Sequence, residues 1–225
     1  MSQRQEFNIT MPDGYEAYAC YWPAPAGAPA VLHLHGIQSH AGWYTETAQA
    51  INRAGFAVLQ ADRRGSGRNA RDRGHADSAP QLIADGRAYA EKLTALSGAE
   101  RVHVVGVSWG GKLAAALHVT EPQIAASLTL IAPGIFPIVD VSAAEKFRIG
   151  WSMVAEPHKA YPIPLNDWEL FTDNPERIRF LENDALTLHD ATAGFFLASR
   201  RMDKIWRNLP AAPPVPVHLV LAGDE

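Results

Sequence analysis

Cysteine is almost missing from this 225-residue chain: Cys20 stands alone, so neither an intrachain disulfide nor a thiolate metal cluster can form. An excess of one charge is missing too. Twenty Lys and Arg face 24 Asp and Glu, a formal net charge of -4, which gives no general attraction to nucleic acid or to an anionic membrane. No apolar run approaches the roughly 18 residues of a membrane span. The start, Met1 to Glu6, is polar and lacks the apolar core of a secretory signal. These absences lead to the expectation of a soluble, cytoplasmic protein that does not bind nucleic acid and acts on a small molecule. A hydrophobic content of 47% is enough for one sizeable core.

Strand-like and helix-like stretches alternate along the first part of the chain. Phe7 to Thr10 and Tyr15 to Trp22 flank the turn Pro12-Asp13-Gly14 and read as a hairpin. The pattern continues with strand Ala30 to Leu34, helix Ala41 to Ala54 stopped at Gly55, strand Phe56 to Leu59, helix Ser78 to Leu96 and strand Val102 to Val105. Helix Trp109 to Thr120 and strand Ser127 to Ile131 complete the run. Such spacing predicts a parallel sheet covered on both faces. From about Ile135 to Asn208 no strand pattern is visible; amphipathic helices such as Ala143 to Ala155 and Ala191 to Trp206 are separated by proline-bearing turns. The alternation returns at Val215 to Leu221. The expected organisation is a core over 1–134, a helical cap over 135–208 on the carboxyl edge of the sheet, where ligands of such sheets bind, and a return to the sheet over 209–225.

Gly106-Val107-Ser108-Trp109-Gly110 lies between a strand and a helix. A serine is a poor nucleophile unless it is exposed, hydrogen-bonded to a base and faced by donors for the oxyanion it creates. A sharp strand-turn-helix with glycine two residues to either side of the serine provides the exposure. It also places the Trp109 N–H at the helix start, aimed at a substrate oxygen. The second donor is expected from His35-Gly36-Ile37, with Ile37 N–H as donor, Gly36 allowing the turn, and His35 shaping the loop or, in a competing reading, serving as the base. The same stretch satisfies the phosphate-loop spacing Gly106 to Lys112, but residue 113 must then carry a hydroxyl for magnesium, and Leu113 has none. Lys112 is left as a polar face residue of the helix.

Together, His35-Gly36, Asp62-Arg63-Arg64-Gly65-Ser66-Gly67, Gly106 to Gly110 and Asn183-Asp184-Ala185-Leu186 resemble the α/β-hydrolase superfamily. The resemblance is nearest to the branch of monoacylglycerol lipases, lysophospholipases and serine-aminopeptidase-like hydrolases. It implies that the Asp-x-Arg-Gly-x-Gly loop is structural, with Arg64 bracing it. From the residues themselves, Arg63, Arg64, Arg68, Arg71 and Arg73, interleaved with Asp62, Asp72 and Asp77, read as a solvated loop rather than a nucleic-acid patch. The resemblance also implies a triad in the order serine, acid, histidine. Val215 to Leu221 corresponds to the penultimate strand, and the acid follows it at Glu225, with Asp224 or a residue beyond as alternatives. The histidine is expected after one further helix and strand, outside this sequence. His118, His158, His189 and His218 all fall in the wrong elements and are read as packing or surface residues. The chain is therefore expected to be a fragment, to receive its base from elsewhere, or to be inactive.

The functional expectation is a serine hydrolase that cleaves carboxylic esters of hydrophobic or lipid-like substrates through an acyl-enzyme at Ser108, a reaction that implies no metal or organic cofactor. Trp43, Trp109, Ile37, Ile135, Phe136 and Ile138 are expected near the mouth of the site, with Trp151, Phe195 and Phe196 contributed by the cap. Acyl transfer on the same elbow and a non-catalytic ligand-binding protein are the alternatives.

Overall fold

The computed structural model describes residues 3–135, 148, 150–153, 155–165, 167–210 and 213–221. Strands β1 (Gln5–Thr10) and β2 (Glu16–Trp22) form the expected antiparallel hairpin, with Phe7 opposite Ala19. Strand β3 (Ala30–Leu34), strand β4 (Ala57–Ala61), strand β5 (Val102–Val107), strand β6 (Ala125–Ile131) and strand β9 (Val217–Val220) complete one seven-stranded sheet in the order β1-β2-β4-β3-β5-β6-β9. The β2–β4 pair is antiparallel, and every pair from β4 onward is parallel. This is the mostly parallel sheet of the α/β-hydrolase fold.

Strands β3 and β4 are buried along their whole length, as a sheet covered on both faces requires. On one face, α1 (Thr45–Arg53) packs Ala48 against Trp22, Val31 and Val58. On the other lie α2 (Ala79–Ser97) and α3 (Trp109–Thr120), whose Leu82, Leu93, Leu113 and Leu117 join the main core with Leu32, Leu59 and Leu128. Helix α2 starts where Ser78 Oγ accepts the Gln81 N–H and stops at left-handed Gly98, the start and stop chemistry of a well-punctuated helix. The expected helix Ala41 to Ala54 divides into a 3-10 turn, Ala41–Tyr44, and α1.

The later stretch differs from the all-helical expectation. Two short strands, β7 (Ala160–Pro162) and β8 (Asp190–Thr192), pair antiparallel in a separate ribbon. At three residues each they are too brief to show an alternating pattern. Helix α4 (Pro175–Asn183) is mostly exposed. Helix α5 (Ala193–Trp206) packs on α3 and α2 and buries Phe195, Ala198 and Met202 in the main core. The amphipathic pattern of α5 was therefore legible, but the pattern alone does not say which surface an apolar stripe meets. Most of the expected helix Ala143 to Ala155 lies outside the described residues, although 150–153 are helical. Strand β9 borders β6 with Val217, Leu219 and Val220 exposed. Among the described residues, no helix is long and apolar enough to cross a membrane.

Candidate active site

Ser108 sits between β5 and α3 with φ 51° and ψ -119°. A non-glycine residue in that region is strained by about 1–3 kcal/mol and persists only where its surroundings over-determine it. Here they do: Ser108 N–H donates to Ile131 O at 2.9 Å, and Ser108 O accepts from Gly111 N–H at 2.9 Å and Gly134 N–H at 2.8 Å. The two flanking glycines let the turn close. A Cβ on Gly106 would lie 2.5 Å from Gly110 O, and one on Gly110 would strike the Leu34 and His35 carbonyl oxygens. Among the described residues, Ser108 Oγ has no hydrogen-bond partner.

The loop after β3 closes on the serine, since a Cβ built on Gly36 would stand 3.6 Å from Ser108 Cβ. Among the described residues, neither Ile37 N–H nor Trp109 N–H is given to a protein acceptor. For Trp109 this follows from its place in the first helical turn, where N–H groups have no intrahelical partner. His35 holds the loop. Its Nε2 accepts the Arg63 N–H at 2.8 Å, so the proton is on Nδ1, which donates to Gly36 O at 2.8 Å. That bond fixes the peptide whose N–H belongs to Ile37. Burial, helped by the neighbouring Arg63 charge, pushes the His35 pKa well below the usual imidazole range and keeps the ring neutral. With both nitrogens engaged, His35 has none free to take a serine proton. His35→Ala strands a buried Gly36 carbonyl and Arg63 N–H, and the expected loss is about 1–3 kcal/mol, read as a shift in the urea unfolding midpoint.

Among the described residues, none of the other histidines is hydrogen-bonded to Ser108. Buried His33 packs on Tyr44 at 4.7 Å, and burial lowers its pKa to about 4. His75 bonds Thr192 and Asp77 and stacks on His158 at 4.1 Å. His103 meets Ser127, His118 is buried in α3, His189 faces Trp168 edge-on, and His218 is exposed on β9. His40 Nε2 meets Asp184 Oδ2 at 2.8 Å, while Trp43 Nε1 donates to the same oxygen at 2.6 Å. Burial works to raise the Asp184 pKa, but the bonds from Trp43 and His40 outweigh it and hold the carboxyl below its usual range. Asp184 thus ties the segment after α4 to the loop after β3, with Leu188 N–H donating to Gln38 O alongside. The link spans 144 positions from His40, and no local spacing announces it.

Two sequence expectations about charge need correction. Arg63 and Arg64 are not part of a solvated loop: each is 4% exposed. Arg64 donates to both oxygens of Asp85 on α2, at 2.8 and 2.9 Å, and pairs with Asp13 in the β1–β2 turn at 2.9 Å. Arg63 Nη2 donates to Ile37 O at 2.7 Å, and its guanidinium lies 4.8 Å from the Trp109 ring and 4.6 Å from the Phe195 ring. Lys112, expected on a polar face, is buried and pairs with Asp203 of α5 at 2.8 Å. An interleaved charge run and a helical lysine carry no local sign of burial, because their partners come from distant elements.

Of the expected lining, Ile37 and Ile135 are half-buried beside the elbow. The Trp109 indole instead points into the α3–α5 interface, where Nε1 donates to Ser199 Oγ at 3.0 Å. Phe195 is fully buried, and Trp151, at 70% exposure, does not line an interior site. Phe136, Ile138 and the expected acids Asp224 and Glu225 lie outside the described residues. Among the described residues, no group of three or more His, Cys, Asp or Glu is placed to hold a metal ion.

The sequence profile of the serine aminopeptidase, S33, family matches residues 26–225. A relative from Variovorax paradoxus that carries the name carbamate hydrolase RutD is 32% identical over 123 residues, which is 54% of this chain and 42% of the relative's length. Among solved structures, the monoacylglycerol lipase of Paleococcus ferrophilus superposes with a TM-score of 0.80 at 20% identity, covering 92% of this chain and 77% of that one. A soluble variant of monoglyceride lipase from Saccharomyces cerevisiae gives 0.78 at 16% identity, covering 97% and 85%. At these identities the structures speak for the fold alone.

Proposed function

This chain belongs to the serine aminopeptidase S33 family of hydrolases, and we propose that Ser108 is its nucleophile in the cleavage of carboxylic esters with an apolar part. The strained Ser108 backbone carries the reading. Strain of this kind, held by three backbone hydrogen bonds and two glycines that nothing larger can replace, lifts one hydroxyl clear of the sheet edge and has no value to packing. In the proposed reaction Ser108 Oγ attacks the ester carbonyl carbon, and its proton passes to a base. The carbonyl oxygen, now an anion, is received by the free N–H groups of Ile37 and Trp109. The tetrahedral adduct expels the alcohol, which takes up a proton, and water then releases the acid from the acyl-serine. The helix origin at Trp109 adds a positive field where the oxyanion forms.

Among the described residues no histidine is hydrogen-bonded to Ser108, which supports a nucleophile that lacks its base here. On their own, the 225 residues are proposed to acylate slowly and turn over at a rate roughly a millionfold below a complete triad. Incubation with p-nitrophenyl butyrate, followed by intact mass measurement, tests this. The expected result is slow gain of one butyryl group, absent in Ser108→Ala, with no steady release of p-nitrophenolate above the Ser108→Ala background. Adduct formation in Ser108→Ala would sink the assignment. Acyl transfer differs only in the second step and shows itself as an acceptor alcohol that accelerates loss of the adduct. A non-catalytic ligand-binding protein predicts no adduct at all.

A further inference from the structure

Arg63 and Arg64 are sequence neighbours with equal burial and opposite circumstances. Arg64 is neutralised by two carboxylates, Asp85 and Asp13. Among the described residues Arg63 forms no ion pair. The adjoining acid, Asp62, is spent on the loop itself: Oδ1 accepts the Ala41 N–H at 2.7 Å and Oδ2 accepts the Arg68 N–H at 2.8 Å. Burial brings the Arg63 pKa down only to about 10, so the interior holds an unpaired cation at neutral pH. Packing gives no reason for it, since an apolar side chain could fill the same space without the cost of desolvating a charge. The contacts of Arg63 converge instead on the two residues that carry the proposed oxyanion donors. Nη2 donates to the Ile37 carbonyl at 2.7 Å, and the guanidinium carbon lies 4.8 Å from the centre of the Trp109 ring. Its backbone N–H donates to His35 Nε2 at 2.8 Å, and His35 Nδ1 in turn donates to Gly36 O, the carbonyl of the peptide whose N–H is that of Ile37. Arg63 therefore reaches both peptides of Ile37, one directly and one through His35. Phe195 of α5, 4.6 Å from the guanidinium and 5.2 Å from the Trp109 ring, closes the stack.

An oxyanion exists only while the reaction runs. A cation paired with a permanent carboxylate projects little field toward it, whereas an unpaired cation in a low-dielectric interior projects a strong one that is fixed in advance. We propose that Arg63 is a positioning residue of the oxyanion site: it braces Ile37 and Trp109 against each other, and its charge is left unneutralised so that the transient oxyanion is its counter-charge. The guanidinium does not touch the substrate. It acts through the two donors and through space, so it favours the tetrahedral state over the neutral ester. This role rests on Ser108 as the nucleophile and names what makes the adjoining site electropositive.

Titration of a tetrahedral adduct on the whole chain reads the field at the oxyanion itself and needs no turnover. The probe is butyl trifluoromethyl ketone. Ser108 Oγ adds to its carbonyl carbon, the C=O π bond opens, the serine proton passes through buffer to the new hydroxyl, and ionisation of that hydroxyl creates the oxyanion. The fluorine NMR shift of the adduct, followed from about pH 5 to pH 9 where Arg63 stays charged, gives the hydroxyl pKa. In Arg63→Met that pKa is expected to rise by about one unit or more, a loss of about tenfold or more in the ionisation constant, as removal of a nearby charge in a protein interior implies. Arg63→Gln, which keeps an N–H for the Ile37 carbonyl but no charge, is expected to rise as well. Arg63→Lys, which keeps the charge, is expected to stay near the native value. Arg68→Met, which removes an exposed cation of the same loop, is expected to leave it unchanged. The Gln and Lys variants carry the test if Arg63→Met does not fold. A purely structural Arg63 predicts less folded protein whose adduct titrates as the native one does. An Arg63→Gln adduct with the native pKa overturns the proposal, as does an Arg63→Lys adduct shifted as far as that of Arg63→Gln. Absence of a ketone adduct on protein whose Ser108 takes a fluorophosphonate also overturns it and leaves the nucleophile standing. Absence of both adducts removes the nucleophile, and the role of Arg63 with it.

Discussion

Asp85→Ala is expected to destabilise the protein by about 3–5 kcal/mol, the range for breaking a buried ion pair from one side. Both partners are almost sealed from solvent, with Arg64 and Asp85 side chains 5% and 4% exposed, and the geometry is two-pronged. Removing the carboxylate leaves Arg64 in place with only Asp13, whose side chain is 42% exposed, to balance it. The aromatic ring of Tyr15, 4.4 Å from the guanidinium, does not replace a charge. Burial works against the Arg64 charge, but the bonds from Asp85 and Asp13 outweigh it and raise its pKa above the usual value. Asp13→Ala, at the exposed end of the same network, is expected to cost well under half as much. Urea unfolding of both variants reads the difference, and equal midpoints for Asp85→Ala and the native chain would refute the network's role in joining the loop after β4 to α2.

Gly110→Ala is the second large effect, and its sign is the informative part. Gly110 lies inside α3, and alanine is favoured over glycine in a helix interior by about 1 kcal/mol. A Cβ here, however, would stand 2.6 Å from His35 O and nearer still to Leu34 O. Both are backbone atoms at the end of β3, so neither can swing aside. The expected net result is a loss of about 3 kcal/mol, at the upper end for overpacking, together with loss of reactivity at Ser108 as α3 is pushed off the sheet. Gly86→Ala is the matched control. Its Cβ would meet Leu117 at 3.5 Å, an ordinary contact, so that substitution in α2 is expected to leave stability unchanged or raise it by up to about 1 kcal/mol. Opposite signs for two glycine-to-alanine changes in adjacent helices would trace the close approach to the elbow itself.

What could be read from the chain was what local chemistry writes locally. Period and punctuation were sufficient for the hairpin at Asp13, for the βα alternation and for α2, whose Ser78 and Gly98 ends are chemical signals. The elbow was legible because Gly106 and Gly110 flank a serine at a strand-to-helix junction. Strands β7 and β8 were not legible, since three residues cannot show a period of two. Nor was the placement of α5 beside α3. The buried polar side chains around the elbow were hidden for another reason. Gln38 and Arg63 draw their meaning from burial, and burial is a property of the assembled sheet, while Asp184 reaches His40 and Trp43 only because the chain returns after α4. Arg63 and Arg64 look identical in sequence, yet one meets two carboxylates and the other two ring faces.

The account stands on Ser108 being a hydroxyl set for attack, and covalent labelling addresses that most directly. Incubating the chain with an alkyl fluorophosphonate and imidazole as an external base for the attack step, in parallel with Ser108→Ala and Ser66→Ala, and locating the adduct by peptide mass mapping reads the nucleophile without turnover. The account predicts a single phosphonyl adduct on the peptide containing Ser108, retained in Ser66→Ala and lost in Ser108→Ala. An adduct on another serine, or none on folded protein at millimolar reagent over hours, would contradict it.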